Sequence, residues 1–233
     1  MMIFDINAEM PKYLSTHKKT HDILAVILTF IAAPILSAAM IAGSGANLVT
    51  TSISKLGWQS GMLPVVYLWG AYNFALFIYL LKLALDEGQY AKNVKALFYI
   101  LTAASCVILL VGISIPFISD EIPQHVLMRK IHNVFATVGF SMFVIVLIAL
   151  TATTLFRNKM QALISVGLLA FLIISGIFAV LCVNSPERAT FITAAAQLYI
   201  FSMLHILLAC QYFLNTFLPN EKHSANIQQS ASK

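Results

Sequence analysis

Two histidines and a serine set the first chemical question. His125 and His132 stand seven residues apart, which puts them on one face if a helix begins near His125. Two turns separate them by about 10.5 Å along the axis, too far for both to bind one metal ion from a straight helix. A zinc ion, with Zn–N bonds of about 2.0–2.1 Å, would need Asp120, Glu121 or a side chain from elsewhere to close its shell. No metal is therefore expected. The pair reads as a contact to a ligand or lipid headgroup, or as a tie holding a loop onto the following helix. Ser54, His132 and Asp120 also supply the residue types of nucleophile, base and orienting acid, but they can meet only if the loops fold inward.

Other polar groups lie within long apolar stretches: Ser105, Asn73, Gln197 and His205. His205 is the only ionisable one among them, and such a residue inside a bilayer is a functional candidate by default. Its plainer reading is a neutral ring bonded to Asn73 or a tyrosine as glue between helices. The nine acidic residues all fall in loops, in tails or at the edges of apolar runs. Carriers coupled to protons or sodium usually keep a carboxylate inside the bilayer, so a coupled transporter is disfavoured. His17 and His21 have metal-pair spacing but lack the glutamate of H-E-x-x-H, and they sit in a basic stretch suited to a membrane surface. Haem fails on depth, because His205 lies fifteen residues in from Thr190, or about 22 Å at 1.5 Å per residue, while His132 lies at the edge of its run. Cys106, Cys182 and Cys210 are odd in number, lack C-x-x-C spacing and read as small packing side chains.

The elements that must position these groups are membrane spans. Of 233 residues 60% are hydrophobic and 10% charged, against about 25% charged in a soluble domain. The mean hydropathy is +0.86. A soluble domain, a disordered chain and a disulfide scaffold are all excluded. Six stretches supply the roughly 20 apolar residues of a span: 23–42, 64–85, 96–118, 131–155, 161–183 and 190–214. They are continuous rather than alternating, which excludes a β-barrel. The fold class is all-α, a polytopic transmembrane bundle of six helices. Three parts are expected: a cytoplasmic segment at 1–22, the transmembrane domain at 23–218 and a disordered cytoplasmic tail at 219–233. The first run exceeds a signal-peptide core of about 7–15 residues and follows a charged stretch, so it reads as an uncleaved span. Pro34 should kink it.

Orientation follows from counting cations on alternate sides. Lys12, Lys18, Lys19, Lys82, Lys92, Lys95, Arg157, Lys159, Lys222 and Lys233 share one side, and Lys55, Arg129, Lys130 and Arg188 the other, ten against four. The richer side should be cytoplasmic, with both termini there. The net charge of +5 thus needs no nucleic-acid partner. Short cytoplasmic connections make successive spans antiparallel neighbours. The outer segments, 43–63 and 119–130, are longer and are where function is expected. Gly57 to Gly61 spells G-x-x-x-G outside the apolar runs, and suits a tight interfacial segment with Trp58 at headgroup level better than a dimer seam. No internal repeat supports an inverted-repeat transporter.

The segment Ser52-Ile53-Ser54-Lys55-Leu56-Gly57, then Gly112-Ile113-Ser114-Ile115-Pro116, then His132 and Ala136, resembles the bacterial domain of unknown function 998 family of six-helix membrane proteins. More distantly it is similar to the FRAG/DRAM/SFK group of eukaryotic six-helix proteins. Here Ile115 replaces an aromatic before the proline, and the glycine stands one residue further away. The resemblance implies a bacterial plasma membrane, and its eukaryotic side implies links to lipid asymmetry, lipid-anchor remodelling and lysosomal membranes. The positions it points to are Ser54, Gly57, Pro116, His125 and His132, all on the outer side.

The leading expectation is a protein with little or no enzymatic activity and no cofactor, which binds a lipid or amphiphile near the outer leaflet at His125, His132, Ser54, Gly57, Pro116 and Asp120. Membrane lipids are its expected partners. Two alternatives stand beside it: a small-solute transporter or channel subunit lined by Asn73, Gln197 and His205, and a membrane hydrolase using Ser54, His132 and Asp120. Small residues such as Ala38 and Ala42 leave room for a homo-oligomer or a membrane-protein partner.

Overall fold

A backbone crossing lipid must satisfy its own hydrogen bonds, and long apolar runs do so as helices. The computed structural model describes residues 16–45, 51–117, 122–154, 159–183 and 194–217, and among these every regular element is helical. Helix α1 (Thr16–Ile27), a π turn (Leu28–Ala32) and α2 (Ala33–Ser44) make one rod. After it come α3 (Ile53–Gln59), α4 (Leu63–Glu87), α5 (Lys92–Ser114), α6 (Pro123–Thr154), α7 (Lys159–Val183) and α8 (Ala194–Phe217). Five stretches are long and apolar enough to cross a membrane: Thr20–Ser44, α4, α5, α6 and Ala196–Phe217 within α8. The 25-residue α7 is a sixth apolar helix.

Helix α4 is central. It packs against α2, α3, α5 and α8, while α5 lies along α6 and α7 contacts both α6 and α8. Phe74, Phe77, Leu80, Leu81 and Leu85 of α4 meet Phe143, Leu147 and Leu150 of α6 and Leu204, Leu208 and Tyr212 of α8 in one core. The outer surface is as apolar as the inside: Leu68 and Leu163 are each 70% exposed. Lipid, not water, suits such a face.

Close backbone approach holds α5 to α6. A Cβ on Gly139 would lie 2.7 Å from Leu109 Cγ and 3.1 Å from Leu109 N, and one on Gly112 would lie 3.1 Å from Phe135 Cβ. Ser105 Oγ donates to the Gly139 carbonyl across the same seam. At one end of the bundle, the 86 end, Asp86 pairs with Lys82 at 2.8 Å and with Lys95 of α5 at 2.5 Å. Nearby, Asn215 Nδ2 donates to the Ala84 carbonyl at 2.8 Å, and Tyr212 donates to Asp22. The other end carries α3.

Several boundaries differ from the sequence reading. Segment 43–63, expected as a loop, contains α3, which starts where Ser52 Oγ accepts the Lys55 N–H at 3.1 Å as an N-cap. Gly61, at φ +67°, makes the turn into α4. The third span ends at Ser114 rather than 118, because Ile115 precedes proline and turns extended (φ −79°, ψ 126°). The fourth begins at Pro123, eight residues before Ile131. Around Pro34 the strain falls in the preceding turn: Leu28–Ala32 widens to a π turn, and Tyr72 OH donates to the Leu28 carbonyl at 2.9 Å.

Candidate functional site

At the α3 end, three elements far apart in sequence converge on one imidazole. His132, in the third turn of α6, is 3% exposed. Its Nδ1 lies 3.2 Å from the Ile115 carbonyl and its Nε2 lies 2.8 Å from Ser54 Oγ. A carbonyl can only accept, so Nδ1 carries the proton. In the neutral ring Nε2 is then a lone pair that accepts the Ser54 hydroxyl proton. The ring of Phe117 stands edge-on to His132 at 5.2 Å between centroids.

Each partner is held from elsewhere. The turn that exposes the Ile115 carbonyl follows from Pro116, and the end of α5 is fastened twice. Trp58 Nε1 donates to the Ile113 carbonyl at 3.0 Å, and Tyr67 OH donates to Ser114 Oγ at 2.9 Å. Helix α3 is fastened by α8: Gln197 Oε1 accepts the Ile53 N–H at 2.8 Å. Gly57 lets α3 lie on α4, since a Cβ there would meet Leu63 Cδ1 at 3.3 Å and Val66 Cγ2 at 3.4 Å. Met40, Ile53, Val66 and Trp69 form a small buried core beneath.

Of the residues singled out by sequence, Ser54 and His132 are in direct contact, Pro116 adjoins the bonded carbonyl and Gly57 seats α3. His125 lies two turns before His132 on α6 and is half-buried. Asp120 lies outside the described residues. Among the described residues, no three His, Cys, Asp or Glu side chains gather closely enough to hold a metal ion. The intramembrane trio divides. His205 Nε2 donates to the Asn73 carbonyl at 3.0 Å, while the Asn73 amide turns to the Trp69 carbonyl at 2.7 Å. Gln197, expected beside them, belongs to the α3 end instead.

The residues that sequence reasoning missed are Ser52, Trp58, Tyr67, Phe117 and the Ile115 carbonyl. Ser52 had a usable signal as a capping residue before a short amphipathic stretch. Trp58 reads in sequence as a headgroup-level residue, and its indole donor, like the Tyr67 phenol, fastens the end of α5. A hydroxyl bonded to a fixed imidazole can engage a polar headgroup by exchanging this bond for one to the ligand. No protein-family model, curated protein or solved structure matches the chain.

Proposed function

We propose that this is a multi-pass protein of a bacterial plasma membrane that binds or handles a lipid or amphiphile at the outer face, with both termini cytoplasmic. The observation that carries the reading is the Ser54–His132 hydrogen bond, a polar pair at the α3 end of the bundle. The ten-to-four bias of cations supports assigning the α3 end to the outside. Three of the four outer cations fall close to the pair in sequence: Lys55 follows Ser54, and Arg129 and Lys130 precede His132 by three and two residues. Beside them Leu127, Met128, Ile131 and Val134 of α6 are exposed apolar residues. A headgroup bearing negative charge, with acyl chains running down α6, fits that combination of cations over hydrocarbon-facing side chains.

Native mass spectrometry of gently extracted protein tests the reading. Wild type should retain a lipid or amphiphile that His132→Ala loses while keeping a folded bundle. An unchanged lipid complement in that variant would remove the site.

A further inference from the structure

We propose that Ser54 and His132 form a nucleophile–base pair for acyl transfer, with the ester of an anionic lipid as substrate. This rests on the outer-face lipid reading and assigns that site a reaction. The geometry supplies the three parts such chemistry needs: a hydroxyl, a lone-pair nitrogen 2.8 Å from it, and a group fixing the tautomer of the ring. The fixing group is the Ile115 carbonyl. It cannot swing away, because Pro116 sets the turn while Trp58 and Tyr67 anchor the end of α5. Ser54 is also less enclosed than its partner: the base is buried, and the hydroxyl residue is half-exposed at the boundary of the bundle. On the outer-face lipid reading, that boundary is where the ester carbonyls of a bilayer lipid lie, between headgroup and hydrocarbon.

In the step itself, Ser54 Oγ bonds to the ester carbonyl carbon as its proton passes to His132 Nε2. The ester C–O bond then breaks and the alcohol leaves with that proton, so that the acyl group remains on Ser54. Water or a second alcohol attacks the acyl-serine, giving its proton to Nε2, from which the Ser54 oxygen recovers it. A clamp serving only to join α3, α5 and α6 would need the same bonds but no reactive oxygen.

The test uses the full chain in nanodiscs containing phosphatidylglycerol, treated with an alkyl fluorophosphonate and analysed by intact mass and peptide mapping. One adduct on Ser54 is expected, absent in Ser54→Ala and formed about 100-fold more slowly in His132→Gln, as loss of a general base implies. A folded wild type unlabelled at Ser54, or equal rates in wild type and His132→Gln, overturns the proposal. If His132→Gln does not fold, Ser54→Cys decides. A thiol activated by His132 should react with iodoacetamide at pH 7 about 10-fold faster than one at Ser60→Cys, and equal rates overturn the proposal. Retained lipid, read separately in His132→Ala, distinguishes the failures. Lipid lost in that variant with Ser54 inert in wild type sinks only the reaction, whereas lipid unchanged sinks the site itself.

Discussion

His205 makes one bond across the core and leaves its second nitrogen enclosed. Nε2–H donates to the Asn73 carbonyl, while Nδ1 is buried without a hydrogen-bond partner among the described residues. A hydrogen bond between membrane helices is worth about 0.6 kcal/mol on average, whereas a buried orphan acceptor costs about 1–3 kcal/mol. The orphan outweighs the bond. His205→Leu should therefore leave thermal unfolding in detergent unchanged or slightly raised. A loss of more than about 2 kcal/mol would mean that Nδ1 is engaged in the working protein, and would favour a solute path past Asn73. The residue types of this contact are legible in sequence, because few polar groups interrupt the runs. That the acceptor is the Asn73 backbone is not legible, since it depends on where the Asn73 amide turns, and Trp69 O captures that.

Between elements, the α5–α6 seam is the most exacting contact. Both Gly112 and Gly139 sit where a methyl would meet the facing helix, and at Gly139 it would press on backbone as well as on Leu109. Gly139→Ala should destabilise the bundle by about 1–3 kcal/mol, the range for overpacking. Leu109→Ala in the same molecule should restore only part of that, because Leu109 N remains 3.1 Å from the added Cβ. Full rescue would show that side-chain crowding alone sets the spacing. Legibility also varied by element. The long apolar helices announce themselves by length and composition, which lipid enforces. Helix α3 does not: seven residues give too little periodicity, and its start relies on Gln197, 144 residues away.

Across the whole molecule, the two ends of the bundle should face opposite sides of the membrane. Ser60 lies exposed after α3 and Asn93 lies exposed at the start of α5, at opposite ends of the bundle. A membrane-impermeant maleimide should label Ser60→Cys in intact cells and Asn93→Cys only after permeabilisation. The reverse pattern would invert the topology and move the Ser54–His132 pair to the cytoplasmic face. Charge counting can tell which residues share an end of the bundle, which is why Ser54 and His132 fell together in sequence. Contact between them needs α3, α5 and α6 to converge, and no local pattern encodes that.

The bond from Ile53 N–H to Gln197 has a consequence for biosynthesis. Chains are made from the N-terminus, so α3 emerges long before α8, the last of the described helices. Until α8 joins the others, the first amide of α3 lacks its acceptor, and α3 rests on α4 and on the end of α5. The seat of Ser54 thus gains this last support only once α8 has packed beside α4 in the membrane. A reactive serine would in this way be held less firmly during insertion, when nascent lipid-facing segments are most exposed to the surrounding bilayer.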